Sequence, residues 1–209
     1  MNTLIITTPN NPERINNVKK QFAGQSFKYD RDEFVHIDAI MLSSQPQVGI
    51  MRSFKKAILY AKLRNWKEVA IFEDDLNFLH PDSLQMFFNT WKKYGFGSYG
   101  DFLLGGIYEG DPKPMGPEIT DIYQINGKFS GLHATIFPEL MYDIVLSAEE
   151  PYNIDHWLSA IRKFPAFVCN PMLIMQNDGF SYNAKCETAY NKMIHKKYNL
   201  ILYDNTKTT

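Results

Sequence analysis

Three adjacent acids, Glu73, Asp74 and Asp75, directly follow the apolar run Val69-Ala70-Ile71-Phe72. Neighbouring carboxylates repel one another, and a bound divalent cation relieves that repulsion. Hard oxygen donors suit Mg²⁺ or Mn²⁺. Such a cation can bridge two phosphates and neutralise a departing diphosphate. On an extended chain Glu73 and Asp75 point one way and Asp74 the other, so one carboxylate can take the metal while its neighbour contacts sugar hydroxyls. A solvated acidic turn is the other reading of the same run. Its place straight after a buried-type strand favours the metal.

Other residue types with chemical potential lie further along. Asp155 opens a helical segment after Pro151-Tyr152-Asn153, where an aspartate also serves as a cap. His133 stands mid-strand among small residues, as a ligand or as a hydrogen-bonded core histidine. Gly105-Gly106 and Ser130-Gly131 permit close backbone approach to a ligand. Tyr108, Tyr152 and Trp157 offer ring faces to a sugar, or simply pack. No phosphate-binding P-loop is present, and no GxGxxG follows a strand.

The elements that must position these groups alternate. Residues 3–8 read as a first strand, broken by Pro9-Asn10-Asn11-Pro12, and a helix follows from about Pro12 to Phe22. Residues 34–40 read as a strand, 49–63 as a helix by apolar spacing, and 69–72 as a buried strand carrying the acids at its end. A helix from Pro81 past Trp91 and a strand at 102–104 come next. Residues 109–118, rich in Pro and Gly, read as a loop. Asn126-Gly127 is a two-residue hairpin signal between strands at 119–125 and 128–137. Residues 138–146 and 154–162 read as helices, and 167–175 as a last strand interrupted by Pro171. From residue 181 a polar helix is the most the pattern offers. Alternating strands and helices imply an α/β fold with a mixed, mostly parallel sheet flanked by helices and a late β-hairpin. Ligands of open α/β sheets bind beyond the carboxyl ends of strands, where the acids lie.

With 209 residues the chain is expected to form one domain, residues 1–209, with a polar tail from about residue 182. Its apolar content of 44% and charged content of 22% are those of an ordinary globular protein. A net charge of −1 argues against nucleic acid as a partner. Lys55-Lys56 and Lys196-Lys197 are short clusters that read as solvated helix faces. The N-terminus lacks a signal-peptide pattern. The apolar runs fall short of the roughly 18 residues of an integral membrane segment. A cytoplasmic protein is the expectation, with Cys169 and Cys186 as buried free thiols.

Four stretches together resemble the GT-A glycosyltransferases, and most closely glycosyltransferase family 25, the lipooligosaccharide-type and collagen-type sugar transferases. They are Pro12-Glu13-Arg14 with the 34–40 strand; the helix from Gly49 into Ile71-Phe72-Glu73-Asp74-Asp75; Ser130-Gly131-Leu132-His133-Ala134-Thr135-Ile136, similar to the family's GTHAY strand; and Asn153-Ile154-Asp155-His156-Trp157 followed by Pro171 and residues 176–181. The resemblance implies a GT-A-like, Rossmann-like fold. It also implies transfer of a hexose from a nucleotide-diphosphate sugar, UDP-linked, to a hydroxyl of a glycan or glycosylated acceptor, with inversion and with Mn²⁺ or Mg²⁺. It makes Asp75 the direct metal ligand and Glu73 its support, with Asp74 on the donor's sugar or ribose. Asp155 becomes the general base. Arg14 would reach the donor's diphosphate or base, or else be a surface charge. Thr7 and Thr8 would present backbone to uracil, and Gly131 and His133 would line the donor. His156 is a further candidate, as is His195, because some GT-A enzymes place a C-terminal histidine on the metal. Ser53-Phe54 departs from the family's Ser-His pair, so that histidine's role is absent or supplied elsewhere. The chain is short, so an extended acceptor-binding region is expected to be missing.

Two other readings stand beside this one. A metal-dependent phosphohydrolase or nucleotidyltransferase would need further carboxylates near other strand ends, for which Asp101 and Asp111 are available. A catalytically inactive GT-A-like protein would bind nucleotide or glycan only.

Overall fold

A computed structural model of the chain describes residues 1–26, 34–161, 164–181 and 186–188. Strand β1 (Thr3–Thr7) leads into α1 (Pro12–Ala23), capped by the Asn11 side chain, which accepts the Arg14 amide. β2 (Phe34–Asp38) and α2 (Pro46–Leu63) follow, then β3 (Glu68–Glu73), β4 (Leu76–Phe78) and α3 (Ser83–Tyr94). After β5 (Phe102–Leu104) come β6 (Pro112–Pro114), β7 (Ile122–Ile125) and β8 (Ala134–Pro138). A 3₁₀ turn at Glu139–Met141 precedes α4 (Tyr142–Leu146) and α5 (Ile154–Ile161). The described chain ends with β9 (Ala166–Cys169), β10 (Ile174–Gln176), β11 (Gly179–Ser181) and β12 (Cys186–Thr188).

Eight strands form one sheet in the order β2-β1-β3-β8-β5-β9-β7-β6. Strands β2, β1, β3, β5, β9 and β6 run one way, and β8 and β7 run against them. The expected α/β fold with a mixed, mostly parallel sheet is therefore present. Helices cover both faces. Leu4, Ile6, Val69 and Ile71 pack toward α2, α4 and α5. Ile5, Ala70 and Phe72 pack toward Val18 of α1 and Leu84, Phe87 and Trp91 of α3. The period of two along β1 and β3 thus divides one core into two layers. β1, β2 and β3 all end on one edge, at Thr7, Asp38 and Glu73. β8 enters from that edge, because Phe72 pairs with Ala134.

Several expectations need correction. Residues 119–125 and 128–137 do not form a hairpin about Asn126-Gly127. β7 pairs with β6 and β9, while β8 lies between β3 and β5. Every residue of β8 is buried, so only a central place suits it, and β7 is half-polar. The late antiparallel pair is instead β11 with β12, where a polar helix was expected. The 109–118 loop contains β6, whose two prolines are tolerated because it is the edge strand. The last strand divides into β9, in the main sheet, and β10, which pairs with the unforeseen β4. α2 begins at Pro46 rather than Gly49. Cys169 is a buried free thiol. Lys196-Lys197 and His195 lie outside the described residues. Among the described residues no helix is long and apolar enough to cross a membrane.

The first turns of α2 close against the segment that follows β2. The Ile40 amide donates to Ser53 Oγ at 2.8 Å, and that hydroxyl donates to the Gly49 carbonyl at 2.8 Å. A Cβ at Gly49 would stand 2.3 Å from the Ile40 carbonyl oxygen, so the packing admits only glycine. Gly49→Ala is expected to cost roughly 1–3 kcal/mol of unfolding free energy. Urea denaturation checks this, and an unchanged midpoint would contradict it.

Candidate functional site

A cavity of about 570 Å³ opens at the edge where β1, β2 and β3 end. One wall is apolar and comes largely from the segment after β2 and from α2: Ala39, Ile40, Leu42, Ile50 and Phe54. The other wall is charged and carries Arg14, Glu73, Asp74, Asp75 and Asp155. Thr8, Tyr108, Gly131 and Gln176 complete the rim between them. The acids of the 73–75 run and Asp155, far apart in sequence, are therefore brought to one cavity.

Alternation at the end of β3 separates the three acids. Asp74 is 4% exposed and turns toward α1. Its Oδ2 accepts the Thr8 amide at 2.5 Å and its Oδ1 accepts Arg14 Nη1 at 2.9 Å. Arg14 also reaches Asp75 Oδ2 at 2.8 Å, so one guanidinium joins two carboxylates. Gln176 Nε2 donates to that same Asp75 oxygen at 2.7 Å. Asp75 Oδ1 is buried and has no partner. Burial pushes the Glu73 pKa well above the usual carboxylate range, and the charges of Asp75, Asp74 and Asp155 add to it. Burial likewise raises Asp74, although the Thr8 amide and Arg14 pull the other way. Burial opposes the Arg14 charge, but the two aspartates more than offset it and its pKa is raised.

The acidic turn is held by a polar stripe on α1 that sequence reasoning missed. Asn17 Nδ2 donates to the carbonyls of Asp74 (3.0 Å) and Leu76 (3.1 Å). Gln21 donates to Asn77 Oδ1 and accepts the Phe78 amide. Just beyond the helix, Gln25 bonds the His80 carbonyl and the Leu84 amide. Asn177 closes the set by donating to Asn17 Oδ1 at 3.2 Å. Positions 14, 17, 21 and 25 recur at helical spacing, and that periodicity was the available signal.

Asp155 lies in the first turn of α5, one residue inside the helix rather than capping it. Its Oδ1 accepts the His156 amide at 2.8 Å and its Oδ2 accepts the Gly131 amide at 3.4 Å. Burial raises its pKa above the usual aspartate value, against the pull of His156 and of the two amides. Gly131 has φ +122° and faces Ile107 and Tyr108 at close range, so a side chain there would be strained. His156 does not line the cavity. Its Nε2 lies 3.0 Å from Ser130 Oγ, which donates to Glu109 Oε2 at 3.2 Å. That link ties α5 to the Glu109–Ser130 bridge beside Gly131.

Some candidates sit off the cavity wall. Thr7 is in β1 with its carbonyl taken by the Ala39 amide and its hydroxyl 3.0 Å from His36 Nδ1, so Thr8 is the residue on the wall. His133 is buried against the Ile174 carbonyl, 3.0 Å from its Nε2. Asp101 caps the turn amides of Gly97 and Tyr99, and Asp111 pairs with Lys113. Neither adds a carboxylate to the cavity. Among the described residues no three His, Cys, Asp or Glu side chains gather as a ready-made metal cage. Mg²⁺-type sites commonly use one or two carboxylates and take the remaining ligands from substrate phosphates and water. The unpartnered Asp75 Oδ1 beside a crowded Glu73 fits that pattern.

No family model and no curated sequence matches the chain. The likeness to glycosyltransferase family 25 therefore rests on the four sequence stretches. Among solved structures, a UDP-glucose pyrophosphorylase without ligand is similar at 10% identity and TM-score 0.49, over 94% of this chain and 81% of its own. A cytidylyltransferase from Leptospira borgpetersenii is similar at 12% identity and TM-score 0.48, over 100% and 98%. A mannosyltransferase from Pyrobaculum calidifontis, in complex with GDP-Man and Mn²⁺, is similar at 14% identity and TM-score 0.44, over 80% and 55%. Nothing about the reaction follows from likenesses of this size.

Two substitutions should move stability in opposite directions. The raised Glu73 pKa means that the native chain holds a proton the unfolded chain releases. That contribution is complete below the ordinary value of 4.5 and is lost as pH rises through the folded value. Glu73→Gln should therefore stabilise the ligand-free chain near neutrality, with the gain vanishing below pH 4.5. Arg14→Gln strands two carboxylates and should cost roughly 3–5 kcal/mol near neutrality, and less in acid. Thermal unfolding across pH checks both. A destabilised Glu73→Gln at neutral pH would contradict the crowding.

Proposed function

We propose that the chain is a metal-dependent glycosyltransferase. It moves a hexose from a nucleotide-diphosphate sugar, UDP-linked, to a hydroxyl of a glycan or glycosylated acceptor, with inversion. The observation that carries this reading is the cavity's pairing of an unpartnered, buried Asp75 oxygen with Asp155 on the same cavity.

Asp75 is the carboxylate to hold a divalent cation, with Glu73 in support, and Mn²⁺ or Mg²⁺ suits oxygen donors of this kind. When bound, the cation offsets the charge that develops on the departing diphosphate. Arg14 balances Asp74 and Asp75 and lies on the same wall, so it can meet the diphosphate as well. The apolar wall of Ile40, Leu42, Ile50 and Phe54 suits the flat face of a base. Gly131, bare of a side chain, lets the donor approach the backbone. Asp155 removes the proton from the acceptor hydroxyl, and its raised pKa makes it a stronger base than an ordinary aspartate. The reaction belongs in the cytoplasm, where nucleotide sugars are made.

The test combines thermal shift with nucleotide diphosphate release across a panel of nucleotide sugars, with and without Mn²⁺. UDP should raise the midpoint only when Mn²⁺ is present, and Asp75→Asn should abolish that dependence. Asp155→Asn should keep the shift and lose roughly 10²–10⁴-fold in transfer. The acid limb of kcat/KM should lie above 3.8, because Asp155 must lose its proton to act and its pKa is raised. No shift with any nucleotide would remove the reading, and retained transfer in Asp155→Asn would remove the base.

A further inference from the structure

Three buried side-chain polar atoms in the described chain lack a partner: Asp75 Oδ1, His133 Nδ1 and the Tyr142 hydroxyl. Two of them belong to one neighbourhood. Strand β10 docks both residues, since the Ile174 carbonyl meets His133 Nε2 at 3.0 Å and Gln176 donates to Asp75 Oδ2 at 2.7 Å. The Glu73 amide donates to the His133 carbonyl at 3.0 Å, so His133 stands across from the acidic run where β3 pairs with β8.

The imidazole's tautomer follows from chemistry. A carbonyl oxygen only accepts, so His133 Nε2 carries the hydrogen and Nδ1 carries a bare lone pair. The ring is 1% exposed, and burial of that kind disfavours a charged imidazolium. Asp75 Oδ1 is also an acceptor. Neither atom can donate to the other, and each is left to bind an electron-pair acceptor. A histidine that fixes one ring nitrogen on a backbone carbonyl and leaves the other bare has the arrangement usual for metal-ligating imidazoles.

We infer that His133 Nδ1 joins Asp75 Oδ1 as a protein ligand of the divalent cation. This rests on the transferase reading above and deepens it. Two protein ligands leave the remaining positions to diphosphate and water. A nitrogen ligand also discriminates between metals. Imidazole suits transition metals, whereas Mg²⁺ keeps to oxygen, so the site selects Mn²⁺ over Mg²⁺.

The experiment is pulsed electron paramagnetic resonance on the full chain with Mn²⁺, alone and with UDP, in natural-abundance and ¹⁵N-histidine forms. The wild type should show a directly bound nitrogen that changes with the isotope. His133→Gln should lose that signal, bind Mn²⁺ at least about tenfold more weakly, and lose the preference over Mg²⁺. If His133→Gln does not fold, a chain with His36, His80, His156 and His195 all changed to Gln must keep the signal. A nitrogen signal that is absent from the wild type, or that survives His133→Gln, overturns the inference. Mn²⁺ binding that needs Asp75 but shows no nitrogen leaves the transferase reading standing. No Mn²⁺ binding with or without UDP removes both.

Discussion

Carboxylates crowded at one end of β3 would repel one another, and a single guanidinium restrains them. Arg14 lies within 2.9 Å of Asp74 and 2.8 Å of Asp75. The arrangement works because β1 and β3 are parallel neighbours, so the start of α1 stands over the end of β3. The restraint is incomplete. Glu73 keeps a strongly raised pKa, and Asp75 keeps one buried oxygen without a partner. On the proposed reading, that residual imbalance is what a bound cation would relieve.

The rest of the fold serves the same edge. Alternation along β3 sends Asp74 toward the α1 layer and leaves Glu73 on the side where Asp155 acts on it. β8 runs against its neighbours, which delivers Ser130, Gly131 and His133 to the edge before the strand begins. β10 pairs with β4 immediately after the acids and places Gln176 on Asp75. α1 turns amide side chains toward the site, while Val18, its one buried residue, and Phe22, whose ring meets Phe34, Phe72 and Phe78, pack it on the core. Hydrogen bonds from Arg14, Asn17 and Gln21 join this helix to the acidic turn.

Local patterns announced the elements that local forces decide. β1, β3 and β5 are short apolar runs, α1 follows the Asn11-Pro12 start, and the acids were legible at a strand end. Partners distant in sequence decided the remainder. Asn126-Gly127 carries a strong turn signal, yet both edges of Ile125 are taken, by Pro112 and by Ala166. The prolines of β6 read as a loop because only an edge position accommodates them. Arg14 was legible as a donor contact or a surface charge, and nothing singled out Asn17 or Gln21, since a polar helical stripe looks the same whether it meets water or a carbonyl. His133 was visible as a residue type, but its free nitrogen depends on the Ile174 carbonyl, which no spacing reveals.

The most direct test of the central claim, that the acidic edge is a donor site, is a crystal structure of the chain grown with UDP and Mn²⁺. A metal ion is expected on Asp75 Oδ1, with the diphosphate on the metal. The base should lie along the Ile40, Leu42 and Phe54 wall, with Asp155 left clear of the nucleotide. Nucleotide bound elsewhere, or a cavity that stays empty at saturating UDP and Mn²⁺, would contradict it.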